Sequence, residues 1–302
     1  MHKMKNNYGK TALFLTAMLW GTTFAIGKIA AEVYSASFII ALRFTVASAV
    51  LILVTLPLRK LIDKQYLIDG FWMGVTLFLS YLLQVIGLTM DTSPGKSAFL
   101  CTTYCEMIPF FHWFITKRRP KLLHVACVFL CLIGVGVLSL QGSMRMSTGD
   151  IMTVLSGVPC AVNMVISSMK CKDNDKNPLL LTTIELFVVM VCAWICVFAS
   201  GGMPVKIHSE ATIGIVYLGV IATALCLFLQ SYGLKHTEAA IGGMIISLES
   251  VFGVIFSILI YHEKVTLRMW IGFILIFMAI LLSQREDAPK DGKLEEKNGK
   301  TK

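Results

Sequence analysis

The sequence predicts an all-α polytopic membrane protein with ten transmembrane helices, arranged as two inverted five-helix repeats. The first observation is composition: 56% of the 302 residues are hydrophobic and only 15% are charged, whereas a soluble domain has about 25% charged residues. The second is that apolar runs of about 20 residues, long enough to cross the hydrocarbon core of a bilayer, recur along the chain. The third is that similar polar motifs occur at corresponding places in the two halves.

Ten predicted spans follow from these apolar runs, because a helix rises about 1.5 Å per residue and the hydrocarbon core is about 30 Å thick. The connections between them are too short for an extramembrane domain. Residues 1–10 are predicted to form a cytoplasmic N-terminus, and the polar residues 285–302 a disordered cytoplasmic tail. The spans cover approximately residues 11–31, 36–58, 70–90, 95–116, 122–140, 149–169, 178–200, 211–234, 240–261 and 267–284.

The distribution of lysine and arginine predicts the orientation of the chain in the membrane. The side that carries the N-terminus has 20 of these 27 residues and the opposite side has 6, while Arg43 lies inside a span. An even number of spans also puts both termini on one side. Both termini are therefore predicted to be cytoplasmic. The net charge of +9 is explained by loop residues, so no nucleic-acid partner is expected.

An internal repeat connects the two halves. The motif Gln-x-x-Gly-Leu ends predicted span three, at Gln84, and predicted span eight, at Gln230. The next span in each half carries one mid-helix glutamate, Glu106 in "TTYCEMIPFF" and Glu249 in "ISLESVFGVI". Because five is odd, the second half must cross the bilayer upside down relative to the first. Such inverted repeats are typical of transporters, whose binding site lies near the midplane. The predicted repeats are residues 11–140 and 149–284.

The two mid-span glutamates are the first candidates for a functional site, since a charge at the bilayer centre costs about 3 kcal/mol or more unless it faces a cavity or a partner. From the helical rise, Glu106 lies about 16 Å from the outer end of its span and Glu249 about 14 Å from the inner end of its own. Trp20 reaches a similar depth. The functional interpretation is a substrate or proton site, which Tyr104 beside Glu106 favours. The alternative, a neutral or hydrogen-bonded glutamate that joins helices, stays open.

Arg43 and Glu185 occupy the eighth positions of spans two and seven. Inversion puts them about 11 Å from opposite ends of their helices, which argues against a salt bridge between them. Arg43 is expected either to attract an anionic group or to bond backbone carbonyls. The remaining candidates for lining a cavity are polar or aromatic residues within the spans, for which helix packing is the alternative: Tyr81, Gln84, Asn163 and Gln230.

The nine cysteines predict neither a disulfide framework nor a metal site, because eight of them lie inside apolar stretches. Three pairs are spaced four residues apart, which puts each pair on one helix face, where small soft side chains pack well. The sequence contains no nucleotide-binding, zinc-hydrolase or serine-hydrolase motif. No catalytic residue, metal or cofactor is therefore expected, and the protein is not predicted to be an enzyme.

The sequence resembles the EamA-type permeases of the drug/metabolite transporter superfamily. The resemblance is carried by "MLWGTTFAIGK" in span one, "ALRFTVASAVL" in span two and "YGLKHTEAAIGGMIISLESVFGVIFSILIYHEKVTLRMWIGFILIFMAILL" in the second half. It implies ten helices in two inverted repeats around a central cavity, and transport by alternating access. Members of the family carry amino acids, other small metabolites, nucleotide sugars or phosphorylated sugars, and bacterial members often export.

The expected function is a secondary active permease, an exporter of small metabolites such as amino acids, in the cell membrane. Its expected partners are a small-molecule substrate, the lipid bilayer and either a proton or a counter-substrate, and a homodimer is compatible with the sequence. One alternative is an exchanger of anions, phosphosugars or nucleotide sugars that uses Arg43 and lysines of the loops. Another is a membrane protein that does not transport, such as a receptor or an enzyme acting on lipid, against which the repeat argues.

Overall fold

A computed structural model describes residues 2–117, 119–139, 146–171, 176–237 and 239–286, and all regular elements within these ranges are helical. Thirteen α-helices are described, with a 3₁₀ turn at Leu56–Leu61 and a π-helical segment at Val220–Leu225. The α-helices are α1 (His2–Ala31), α2 (Ala36–Thr55), α3 (Lys64–Thr89), α4 (Pro94–Thr102), α5 (Tyr104–Thr116), α6 (Leu122–Ser139), α7 (Thr148–Cys171), α8 (Pro178–Ser200), α9 (Ser209–Gly219), α10 (Cys226–His236), α11 (Ala239–Ile246), α12 (Leu248–Ile260) and α13 (Leu267–Glu286).

Eight helical stretches within the described ranges are long and apolar enough to cross a membrane. Predicted span four is not among them, and it consists of two helices, α4 and α5. Predicted span ten corresponds to a shorter apolar helix, Leu267–Ser283. The chain is therefore a multi-pass helical membrane protein. Helix α1 begins at His2, within the segment predicted to precede span one. Residues 287–302, most of the predicted tail, lie outside the described ranges.

Two helices are interrupted shortly before a glutamate. The break between α4 and α5 is at Thr103, three residues before Glu106, and the break between α11 and α12 is at Ser247, two residues before Glu249. At both breaks a hydroxyl bonds back to the preceding turn: Thr103 Oγ1 donates to the Leu100 carbonyl at 2.7 Å and Ser247 Oγ donates to the Gly243 carbonyl at 2.8 Å. Such back-bonding competes with the helical ladder and bends helices. The directions of side chains near these breaks therefore depend on the irregular backbone there.

The helices pack in a specific set of pairs. Helix α1 packs against α10 and α12, α3 packs against α7 and α8, α2 packs against α8, α6 packs against α13, and α4 packs against α12. Small residues allow the closest of these contacts, as expected when helices associate in a bilayer. A methyl group on Gly21 would lie 2.4 Å from Phe252 Cβ, and one on Gly253 would lie 2.4 Å from Ala98 Cβ.

The pairing gives the molecule two distinguishable ends. The basic end contains the start of α3 and the α7–α8 connection, where Asp69 forms ion pairs with Lys170, at 2.9 Å, and with Lys176. The Tyr66 hydroxyl also accepts a hydrogen bond from the Asn177 amide there, at 2.8 Å. The opposite end contains the start of α4, the start of α7 and the loop between α12 and α13.

Candidate functional site

A cavity of about 490 Å³ lies among the helices and draws its lining from both halves of the chain. Its lining includes two exposed residues at the basic end, Ser168 near the end of α7 and Pro178 at the start of α8. Helix α8 begins there because the Asn177 side chain accepts from the Leu179 amide at 3.0 Å and proline suits the first helical turn. Nine of the ten side chains proposed from the sequence line this cavity: Trp20, Arg43, Tyr81, Gln84, Tyr104, Asn163, Glu185, Gln230 and Glu249.

Arg43 is a buried cation, 6% exposed, on the wall of the cavity. Its Nε donates to Thr223 Oγ1 at 2.9 Å, and its Cζ lies 4.9 Å from the centroid of the Tyr81 ring. The sequence left open whether Arg43 bonds backbone carbonyls. In the part of the chain that the structure describes, its partners are side chains: the hydroxyl of Thr223, the ring and hydroxyl of Tyr81, and the ring of Phe44.

Glu185 is held by Asn163 on the opposite wall. Asn163 Nδ2 donates to Glu185 Oε1 at 2.7 Å and to the Met73 carbonyl at 2.9 Å, which ties α7 to α8 and α3. Arg43 and Glu185 form no ion pair in the structure, in agreement with the argument from their depths. The cation and this carboxylate are each positioned by a neutral neighbour.

Glu249 lines the cavity just beyond the break at Ser247 and is 8% exposed. No hydrogen-bond or ionic partner of its carboxylate occurs within the described ranges. Helix α12 brings it to this position by packing against α1 and α4, where Gly253 meets Ala98. A carboxylate buried to this degree beside a cavity is well placed to meet a ligand or a proton.

Glu106 is the one predicted site residue that does not line the cavity, although it is 3% exposed. Glu106 is two positions after Tyr104, and residues two positions apart on an α-helix lie about 200° apart around its axis. Since Tyr104 lines the cavity, Glu106 points away from it. Proximity to Tyr104 along the chain therefore does not bring Glu106 to the cavity.

The structure adds site residues that sequence reasoning missed. Thr223 orients Arg43, and the Ala222 carbonyl accepts from Trp20 Nε1 at 2.8 Å. Both belong to the π-helical segment, for which "VIATAL" carries no recognisable signal. Cys101 and Cys160 also line the cavity as free thiols. Cys101 belongs to one of the three cysteine pairs spaced four residues apart, and spacing alone does not say which face of a helix is turned inward.

A polar network joins the helices at the opposite end. Lys96 of α4 forms an ion pair with Asp150 of α7, with side chains 7% and 0% exposed. Thr92 Oγ1 donates to the second carboxylate oxygen of Asp150 at 3.0 Å. Glu263 accepts from the Gly95 amide at 2.8 Å and from the hydroxyl of Ser93, and so caps the start of α4. The cavity lining does not extend into this network.

The chain is similar to a known family of proteins and to several individual proteins. The model of the EamA-like transporter family matches residues 7–140 and, separately, residues 147–284. An uncharacterized transporter of Archaeoglobus fulgidus is 28% identical over 282 residues, which cover 92% of this chain and 86% of that protein. A biotin transporter of Escherichia coli K12 is 25% identical over 291 residues, covering 91% and 92%. A solved crystal structure at 18% identity shares the fold, with a TM-score of 0.61 over 91% of this chain and 96% of that one.

Proposed function

Because the chain belongs to the EamA-like transporter family, we propose that this membrane transporter is a secondary active permease that exports small metabolites such as amino acids. The observation that carries the proposal is the cavity of about 490 Å³, which presents one guanidinium and two carboxylates inside a helical bundle. Charged side chains are energetically unfavourable within a membrane, and those that occur there commonly line a substrate or ion pathway. The direction of transport rests on the resemblance to exporting bacterial members of the family.

Ten spans in two inverted repeats, residues 11–140 and 149–284, are part of the proposal. The helix pairs support them, because exchanging each predicted span with the one five positions later reproduces the observed packing. Helix α1 contacts α10 as α7 contacts α3, and α1 contacts α12 as α7 contacts α5. The α2–α8, α4–α12 and α6–α13 pairs exchange with themselves. Helices broken beside the site, as at Thr103 and Ser247, are also a feature of transporters built from inverted repeats.

The difference between the two ends supports alternating access. The cavity lining includes the exposed residues Ser168 and Pro178 at the basic end, while Lys96, Asp150 and Glu263 join helices at the opposite end. The excess of lysine and arginine supports a cytoplasmic basic end and cytoplasmic termini in the cell membrane. On this assignment the conformation is open to the cytoplasm, where an exporter loads its substrate.

The proposed energy source is a proton gradient acting through Glu249, or exchange against a counter-substrate. Glu249 supports the first of these because it faces the cavity without a partner within the described ranges. A substrate and a proton can then compete for one carboxylate, which couples their movements. Glu106 is not assigned this role, since it lies away from the cavity.

The test is transport by the purified protein in lipid vesicles. The panel contains amino acids, biotin, phosphorylated sugars and nucleotide sugars, and biotin is included because of the relative that carries that name. We expect an imposed pH gradient to drive the movement of at least one amino acid or related small metabolite. Absence of flux for every compound, from protein that remains folded in the vesicles, would contradict the proposal.

The second candidate is an exchanger of anions, phosphosugars or nucleotide sugars, favoured by the buried guanidinium of Arg43 in the cavity. Counterflow separates the two functions. An exchanger moves labelled substrate only when unlabelled substrate is present on the far side, whereas a proton-coupled permease also moves it into empty vesicles along a pH gradient.

A further inference from the structure

The π-helical segment Val220–Leu225 holds two cavity side chains from the other half of the chain. The widened turn leaves the Ala222 carbonyl available to Trp20 Nε1, at 2.8 Å, and directs the hydroxyl of Thr223 towards Arg43. Single π-helical turns are rare and occur frequently at functional sites. This irregularity therefore determines how part of the cavity wall is arranged.

The hydroxyl of Thr223 donates one hydrogen bond and accepts another. Its proton is donated to the Leu218 carbonyl, five residues earlier, at 2.8 Å, so that the oxygen accepts from Arg43 Nε at 2.9 Å. Thr223 is 4% exposed, which removes competition from bulk water. A hydroxyl fixed in this way holds the guanidinium plane by one edge.

The rest of the guanidinium is available to a ligand. Its Nη2 lies 3.5 Å from the Tyr81 hydroxyl, and the ring of Tyr81 stacks near Cζ. For Nη1 of Arg43 the described residues provide no hydrogen-bond partner. A guanidinium has five N–H donors in a planar fork that matches a carboxylate. Arg43 lines the cavity, so its unused donors can reach an occupant.

The charged side chains of the same cavity bear on which anion Arg43 can bind, a carboxylate or a phosphate. Glu185 and Glu249 line it together with Arg43. A phosphate monoester carries close to two negative charges at neutral pH, and among the described residues the lining offers it one cationic side chain, Arg43. A carboxylate carries a single charge and can accept two parallel bonds from the guanidinium. One guanidinium therefore balances the charge of a monoanionic carboxylate better than that of a phosphate.

We propose that Arg43 binds the carboxylate of the transported metabolite, and that Thr223 is the positioning residue that aims the guanidinium at it. The substrate class is thus a small organic acid or amino acid whose carboxylate lies against α2 and the π-helical segment. This inference rests on the proposed function, since it names the substrate of the same cavity.

The test compares acids with their own amides, because an amide keeps the shape and loses the negative charge. The probes are L-phenylalanine, benzoic acid and biotin, each paired with its amide, and glucose 6-phosphate. Binding to the purified full-length protein is measured by calorimetry and by thermal stabilisation. We expect at least one acid to bind more tightly than its amide. Thr223→Val should lower the affinity for that acid roughly tenfold and leave the affinity for its amide almost unchanged. This is the effect expected when a hydrogen bond to a charged group is lost.

Two variants distinguish positioning from general stability. Thr223→Ser keeps the hydroxyl and should keep the preference for the acid. Thr55→Val removes another buried threonine hydroxyl, which donates to the Leu51 carbonyl at 2.8 Å outside the cavity lining, and should lower stability without changing the preference. The proposal is overturned if no acid binds better than its amide, if glucose 6-phosphate binds better than the acids, or if Thr223→Val retains the preference.

Failure of this inference can be told apart from failure of the proposed function. A preference for the acid without flux in vesicles would contradict the transport proposal and leave the role of Arg43 standing. Flux of neutral or cationic compounds without any preference for the acid would contradict the role of Arg43 and leave transport standing.

Discussion

At the scale of single residues, the two mid-span glutamates differ in what they face. Glu249 lines the cavity, whereas Glu106 points away from it. Both are more than nine-tenths buried. Burial alone therefore does not identify a functional carboxylate, and the direction of the side chain decides between a pathway and a helix interface.

Replacing Glu249 tests its role in proton coupling. We expect Glu249→Gln to reduce uptake driven by a pH gradient at least tenfold in vesicles, because glutamine has similar size and cannot release a proton. Exchange of labelled for unlabelled substrate, which needs no net proton movement, should be reduced much less. The measurement is the ratio of gradient-driven flux to exchange in the same preparation.

Glu106→Gln is the matched control for that experiment. It makes the same chemical change at a buried mid-span position outside the cavity lining, so its ratio of gradient-driven flux to exchange should equal that of the wild type. If Glu106→Gln abolished coupling and Glu249→Gln did not, the assignment of roles to the two glutamates would be reversed.

At the scale of elements, close packing between α1 and α12 determines where Trp20 and Glu249 lie relative to each other. Gly21 is the contact point: a methyl group there would lie 2.4 Å from Phe252 Cβ and 2.8 Å from the Phe252 backbone. These atoms belong to the main chain and its first side-chain carbon, so they cannot rotate away. The helices can approach to this distance only with glycine at position 21.

Gly21→Ala should therefore destabilise the protein by about 1–3 kcal/mol, the usual cost of overpacking. We expect a lower midpoint of thermal unfolding in detergent and weaker binding in the cavity. Gly27→Ala provides the control on the same helix, because a methyl group there meets only Leu88 Cδ1, at 3.5 Å. Its unfolding midpoint should stay close to that of the wild type, and equal losses for both variants would refute the packing argument.

At the scale of the whole molecule, the two ends are held by different charge pairs. The opposite end contains the buried pair of Lys96 and Asp150, whereas at the basic end Asp69 pairs with Lys170 and Lys176. Breaking one partner of a buried pair leaves an uncompensated charge and typically costs about 3–5 kcal/mol. Loss of the Lys96 ammonium should therefore favour conformations in which the opposite end separates and Asp150 becomes hydrated.

The cysteines of the cavity allow this to be measured without a substrate. In a variant that keeps only Cys101 and Cys160, we expect a membrane-impermeant thiol reagent to label from the side of the basic end alone. Lys96→Met should add labelling from the other side. Lys206→Met, which removes an exposed lysine near the same end, should not. Labelling of the wild-type cavity equally from both sides would contradict closure of the opposite end.

The sequence by itself determined the class of the molecule and most of its candidate site. Low charge and apolar runs of bilayer length suffice to predict a multi-pass helical protein, since these are properties of composition and length. The cost of a buried polar group singled out Arg43, Asn163, Glu185 and Glu249, because that cost depends on depth along the chain and needs no knowledge of neighbours.

Only the tertiary structure decided which way those side chains face and what holds them. Helical rise predicts a depth for Glu106, but the direction of its side chain depends on which neighbour packs on which face of α5. A π-helical turn brings Thr223 to the site, and no local residue pattern predicts that turn. Glu263 caps α4 from a loop 168 residues away in sequence, at Gly95. Depth follows from a count along one helix, whereas direction and pairing arise from contacts between helices distant in sequence.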